Sequence, residues 1–406
     1  MTFSLRRAVL QFIGSFFSAL PLDLIVRGMP HFRKIRFGIE SQATESETVF
    51  AASNSLIAQE IPIEACSSVT HAELRPYKPI RAHVLKGATV FYNRRFSPLL
   101  INRRCFVPER SESGPWDFGV DRNNKLPGSV TFQHGRLIAF RGGGSRKNLA
   151  EALYVGTRAP DNYYHWLTNA LPSLHLASKS AIIPARAPVL VPQVVKSHTQ
   201  LLEALELVSV GRPIEYFEMH ESLNVQNLFV IDPPPVYDTP LSQILNNRRP
   251  LAVHREAISS FRESLLEHVK QKPAGEGQKR LFLLRPNAEP RSANQHELLQ
   301  VAEGFGFIGV RTDTMSFLDQ VALFANAKFI SGPSGAAFTN VLFSSQARAL
   351  IFKASYNENE NFFASLASIG GGRVFSINSG LDQNHNPIEL SPARYKEGLQ
   401  FLLQRE

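Results

Sequence analysis

Three short stretches concentrate the residue types that could do chemistry. In DNYYHWLTNALPSLHL, residues 161–176, Asp161, His165 and Asn169 recur every four positions, a spacing that on a helix sets them along one face until Pro172 kinks or ends it. An imidazole exchanges protons near neutral pH, so His165 is a candidate general base, with Asp161 as its neighbour. Tyr163, Tyr164 and Trp166 crowd the same turn. With the Asn169 amide they form an aromatic and polar group suited to stacking on a sugar; packing is the plainer alternative. In RLFLLRPNAEPR, Arg285 ends an apolar run and Arg291 follows in the same loop. Two guanidinium forks are suited to the oxygens of a diphosphate.

The third stretch, FISGPSGAAFTN, residues 329–340, runs from a hydrophobic strand through Gly332, Pro333, Ser334 and Gly335 into a small-residue helix carrying Ala336, Thr339 and Asn340. The first N–H groups of a helix lack partners and its dipole is positive there, so a strand-to-helix turn of this kind binds phosphate. Gly332 and Gly335 would let a ligand approach the backbone, and Ser334 would add a hydroxyl. The plainer alternative is that the glycines only make the turn.

These residues need a scaffold that brings strand ends together, and the pattern supplies one. From residue 150 onward strands alternate with helices: APVLVP and NLFVID flank the helix TQLLEALELV. Beyond residue 257, ISSFRESLLEHV, RLFLLR, NQHELLQVAEGF, FIGV, a helix opened by Ser316 with Asp319 three residues on, KFISG, AAFTNVLF, RALIF, ENFFASLASI and RVFSI continue the alternation. This is an α/β chain of the doubly wound kind, whose ligands bind outside the carboxyl ends of the strands. Residues 30–80 read as irregular, and residues 80–140 as short β-type runs forming a β-rich entry region. RGGGSRKN, 141–148, lacks the Gly-Lys-Ser/Thr end of a phosphate loop and reads as a connection. DPPPVYDTP, 232–240, marks a domain boundary. The expected organisation is a leader over 1–28, an N-terminal domain over 29–235 and a C-terminal domain over 236–406.

At 406 residues, two domains are the default. A hydrophobic share of 43% with 19% charged residues excludes a disordered chain. The net charge of +9 favours anionic partners, but it is spread without a basic tract, which argues against nucleic acid. Cys66 and Cys105 form no CxxC pair and read as thiols of a reducing compartment or as one disulfide. In the leader, Leu5, Val9, Phe12, Phe16 and Leu20 recur at helical spacing behind Arg6 and Arg7. The apolar run from Ala8 to Leu20 is shorter than the ~20 residues a membrane span needs. A helix lying on the inner face of the cell membrane through residues 5–20, a helix packed on its own domain, and a signal peptide are the three readings; the first two imply a cytoplasmic protein.

The order NYYHWL…LP, RLFLLRPNAEPR…NQHEL and FLDQVALFANAKFISGPSGAAFTNVLF resembles glycosyltransferase family 61, over about residues 150–355. That family includes bacterial capsular polysaccharide transferases and eukaryotic xylosyl- and N-acetylglucosaminyltransferases. The resemblance implies two Rossmann-like domains of the GT-B type and an inverting transfer from a nucleotide-sugar co-substrate to a glycan or polysaccharide. With Arg285, Arg291 and the 332–335 turn in the C-terminal half and His165 in the N-terminal half, the expected arrangement has the nucleotide-sugar on the C-terminal domain and the acceptor on the N-terminal one, without a metal or other cofactor. Three positions depart from the family pattern: Ser334 stands where it usually has His, Ala337 stands at its second Gly, and Asn169 stands at its acidic position. An amide cannot accept the proton, so His165 or Asp161 takes that role or the acceptor is activated elsewhere. The chain carries no Asp-x-Asp, which weighs against a metal-dependent GT-A enzyme, and no Gly-x-Gly-x-x-Gly after a strand, which weighs against a dinucleotide oxidoreductase. The remaining rival is a non-catalytic glycan- or nucleotide-binding protein derived from a transferase.

Overall fold

A computed structural model describes residues 32–35, 43–62, 67–77, 79–91, 99–101, 104–106, 130–134, 137–140, 146–155, 160–218, 221–236, 252–270, 279–286, 294–353, 360–378 and 389–404. The leader readings over 1–28, the glycines 142–144, Cys66 and Arg291 lie outside the described residues, as do the side-chain surroundings of Cys105. The chain divides into two units: Met1–Ala51, Pro79–His198 and Leu205–Arg249 form one, and Ala52–Lys78, Thr199–Ala204 and Pro250–Glu406 the other. No helix among the described residues is long and apolar enough to cross a membrane.

With strands numbered in chain order, the first sheet holds, side by side, β12 (Ile214–Phe217), β11 (Val189–Pro192), β10 (Arg146–Tyr154), β13 (Ser222–Ile231), β5 (Ile80–Phe91), β6 (Leu99–Ile101), β7 (Arg104–Phe106), β1 (Phe32–Ile35), β9 (Leu137–Phe140) and β8 (Val130–His134); β2 (Glu45–Phe50) pairs with β5. Its first four strands are parallel. In chain sequence their order is 3-2-1-4, so the strand order reverses between β10 and β13, and a doubly wound sheet offers its crevice at such a reversal. Leu85, Val90, Ala152, Tyr154, Val225, Leu228 and Val230 pack into one core. Where β5 and β13 meet, the buried His83 Nε2 lies 3.0 Å from Asp232 Oδ1, and Asp232 Oδ2 accepts the Arg81 N–H at 3.1 Å. Buried polar groups thus find partners within the sheet.

The second sheet runs β14 (Pro235–Val236), β15 (Ala252–His254), β3 (Ser53–Pro62), β4 (Ser67–Tyr77), β20 (Arg373–Asn378), β19 (Arg348–Lys353), β18 (Ala327–Pro333), β16 (Lys279–Leu283) and β17 (Ile308–Val310). From β20 to β17 all pairs are parallel. Their chain order across the sheet is 2-1-3-4-5, with the reversal between β16 and β18. Phe282, Phe352, Phe375 and Ile377 pack beneath Leu298 and Ala302 of α5 (Gln295–Glu303) and Tyr395, Leu399 and Leu402 of α8 (Pro392–Gln404). Strand side chains alternate between faces, so Leu281 and Leu283 point to the opposite side. There α4 (Arg255–Val269), α6 (Phe317–Ala325) and α7 (Glu360–Ile369) pack with the helix that follows β18. The α/β expectation therefore holds, and Ser316 caps α6 as its spacing predicts, its hydroxyl accepting the Asp319 N–H at 3.1 Å.

Residues 30–80 do not form the irregular chain expected of them: they contain β1 to β4. The cause is long-range. β3 and β4 pair with each other, β3 with β15 and β4 with β20, all antiparallel. Backbone pairing to distant partners fixes these strands, and a local apolar alternation is not required of them.

Candidate functional site

In the second unit, β16 delivers Arg285 and β18 delivers the Ser334–Gly335 turn to the same carboxyl edge, on either side of the strand reversal. Arg285 Nη1 donates to the Ser334 carbonyl at 2.6 Å. The convergence expected of Arg285 and this turn is thus present as a direct contact. Phe338 N to Gly335 O, 3.1 Å, is the first bond of the following helix, Ala336–Phe343. Among the described residues the Ala336 and Ala337 N–H groups have no backbone hydrogen bond, as is usual for the first donors of a helix. The helix is 3-10 rather than α, with Phe338, Thr339, Asn340, Val341, Leu342 and Phe343 all buried. Arg262 of α4 donates to its last carbonyls, Nε to Leu342 O at 2.7 Å and Nη2 to Ser344 O at 3.2 Å.

Several residues expected at an anion site have other work. The Ser334 N–H is taken by Phe352 O at 2.9 Å, so it does not face a ligand. Asn340 is fully buried and its Nδ2 donates to Gln320 Oε1 of α6 at 3.0 Å, which ties the two helices together. Thr339 is equally buried, and its hydroxyl has no hydrogen-bond partner among the described residues. Gly332 is not a point of ligand approach: it lies within β18 at φ 148°, and a Cβ there would stand 2.6 Å from Leu283 O. Close strand packing requires this glycine. Gly335 is different, because its backbone is extended and an added Cβ would meet Arg285 Nη1 at 2.2 Å. Gly332→Ala is therefore expected to destabilise the fold by about 1–3 kcal/mol. Gly335→Ala should leave the melting temperature close to wild type, since a flexible guanidinium end can move, while weakening binding of a diphosphate. Thermal melts and calorimetry on the two variants check this contrast; equal loss of stability in both would contradict it.

In the first unit, the stretch after β10 forms α1 (Tyr163–His165), a π-helical turn over Trp166–Ala170, and α2 (Leu171–Ala177). Asn162 caps the start, its side chain accepting the Tyr164 N–H at 2.9 Å. Asp161 precedes the cap in a turn, so it does not share the helical face expected of it. Pro172 does not end the run: it stands in the first turn of an α-helix that continues to Ala177. Lacking an N–H and crowding the carbonyl four residues back, it favours the wider turn before it. The Leu171 N–H closes that turn on Trp166 O, and the Thr168 hydroxyl lies 2.8 Å from Tyr164 O and 2.9 Å from Asn169 Oδ1. One-turn π segments frequently occur at functional sites.

Trp166 is 1% exposed with its indole N–H donating to Pro160 O, and Tyr164 is 8% exposed. Neither ring is open to a sugar face. Tyr163 and His165 keep partial exposure, and the Tyr164 and His165 rings meet edge-on at 5.2 Å. Asn169 is fully buried and its Nδ2 has no partner among the described residues. A threonine hydroxyl has one proton, so whichever way the amide faces Thr168, one Asn169 polar atom is left over. Farther along α2, burial first and then the charge of Lys179 lower His175 to about 4, so it stays neutral near pH 7. No cluster of three or more His, Cys, Asp or Glu among the described residues could hold a metal ion.

The sequence patterns missed Gln295 and Gln320, whose side chains hold Arg285 and Asn340. No local signal marks them, since their partners come from distant elements. Among known proteins, residues 163–351 match the family model described as Glycosyltransferase 61. The match spans His165, Asn169, Arg285 and the 329–340 stretch, and leaves Asp161 outside. No curated protein matches the chain.

Proposed function

From the premise that residues 163–351 belong to glycosyltransferase family 61, we propose that this chain is an inverting glycosyltransferase using a nucleotide-diphosphate sugar and a glycan or polysaccharide acceptor. The observation that carries the donor assignment is the Arg285 contact with Ser334 O beside the start of the Ala336–Phe343 helix, at the strand reversal of a 2-1-3-4-5 sheet. In this reading the acceptor oxygen attacks the anomeric carbon while the bond from that carbon to the diphosphate oxygen breaks. The leaving diphosphate gains charge, which the guanidinium and the amides offset. His165, partly exposed in the first unit, takes the acceptor proton. Arg291 is proposed as a second diphosphate contact, Tyr163 as the aromatic against the acceptor, and Asp161 as the base should His165 be dispensable. The 3-2-1-4 and 2-1-3-4-5 strand orders support a GT-B reading of the two units. We place the protein in the cytoplasm, with residues 5–20 as a peripheral membrane contact.

A binding protein derived from a transferase is the second reading, favoured by one observation: the family's acidic position holds a fully buried amide, Asn169. A thermal-shift screen of UDP-, GDP-, ADP- and dTDP-sugars, followed by donor-consumption assays, separates the two, because a ligand that prefers the native state raises the melting temperature. The enzyme reading predicts one nucleotide class that both stabilises the chain and is consumed, with turnover retained in EDTA. Loss of turnover on chelation, restored by Mg or Mn, would overturn the metal-free mechanism. Stabilisation without consumption of any donor would favour the binding protein.

A further inference from the structure

We infer that Gln295 is a positioning residue for the diphosphate site, holding Arg285 where its guanidinium meets the Ser334 turn; this rests on the donor assignment proposed above. β16 ends at Leu283, and just before the arginine Leu284 N donates to Val310 O at 2.9 Å. Beyond it, Gln295 supplies what a neighbouring strand would. Its Oε1 accepts the Arg285 N–H at 2.8 Å and its Nε2 donates to Arg285 O at 2.9 Å, while the side chain is 1% exposed. Among side chains only a primary amide offers one acceptor and two donors on the same planar end. The residue before it works the same way: Asn294 Nδ2 donates to Leu390 O at 2.9 Å and its Oδ1 accepts the Leu390 N–H at 3.3 Å. Two consecutive amides at the start of α5 thus fasten this helix to the end of β16 and to the chain entering α8.

The backbone held in this way carries the one described arginine whose guanidinium bonds Ser334 O. Gln295 sets the main chain of Arg285 and Ser334 sets the far end of its side chain. A cationic fork fixed at both ends meets a diphosphate without first being ordered, and such preorganisation favours binding.

A double-variant cycle tests this on the full chain, with UDP, GDP and inorganic pyrophosphate as calorimetric probes and melting temperature as the control. Gln295→Leu is expected to weaken diphosphate binding about tenfold or more. Arg285→Ala should weaken it by a similar factor, and the double variant should bind no more weakly than Arg285→Ala alone, because both act through one guanidinium. Gln295→Met keeps the side-chain length and stands in should the leucine variant fail to fold. Wild-type affinity in a folded Gln295 variant, beside a weakened Arg285→Ala, would overturn this inference alone. So would penalties that multiply in the double variant. Wild-type chain that binds none of the three probes would overturn the donor assignment and this inference with it.

Discussion

Arg285→Ala is expected to lower nucleoside-diphosphate affinity by roughly 10- to 100-fold, the equivalent of the ~1.5–3 kcal/mol ascribed to hydrogen bonds with a charged partner. The fold should survive. Arg285 is only partly buried, and its main chain stays clamped by Gln295 when the side chain is gone. Arg285→Lys should recover little of the loss, since an ammonium is a point donor where the guanidinium is a planar fork that can bond Ser334 O and ligand oxygens together. Calorimetry against UDP and GDP gives the answer. Affinity unchanged in both variants would remove Arg285 from the site and leave the Ser334 contact as a structural tie between β16 and β18.

The second large effect is expected in the other unit. His165→Ala should reduce turnover by about 10²- to 10⁴-fold, the usual contribution of a general base, with nucleotide affinity near wild type because the donor contacts lie on different elements. An imidazole ordinarily titrates at about pH 6.5, so proton removal near neutrality suits it. Asn169→Asp restores an acid at the family's usual position. Burial would raise the pKa of that new carboxyl, since among the described residues the side chain's hydrogen-bond partner is the neutral Thr168 hydroxyl. The variant is expected to preserve or raise the rate with an optimum moved toward higher pH, at some loss of melting temperature. Near-normal turnover in His165→Ala would make the histidine structural and pass the role to Asp161.

What could be read from residue order alone follows a physical line. β16, β18, β19, β20 and their helices carry their own periodicity and caps, so RLFLLR, ENFFASLASI and the Ser316 start correspond closely to the elements found. Arg285 was legible because it ends a buried strand, and the rule for doubly wound sheets says where such an end points. The contacts at that edge were not legible. Gly332 and Gly335 look alike in sequence, yet one packs against Leu283 and the other against a guanidinium. Asn340 resembled a ligand group and proved to pair with Gln320, a partner twenty residues away. Helical spacing put Asp161 on the His165 face, but the Asn162 cap starts the helix after it. Trp166, read as a sugar platform, fills the core instead, beside a π-turn that no periodicity announces.

The proposed place of the donor's diphosphate is the carboxyl edge of β16 and β18. A crystal structure of the chain with a bound nucleoside diphosphate tests it most directly. Phosphate oxygens are expected within hydrogen-bond distance of the Arg285 guanidinium and of the Ala336 and Ala337 N–H groups. A diphosphate bound at any other place on the chain, with that edge occupied only by water, would contradict it.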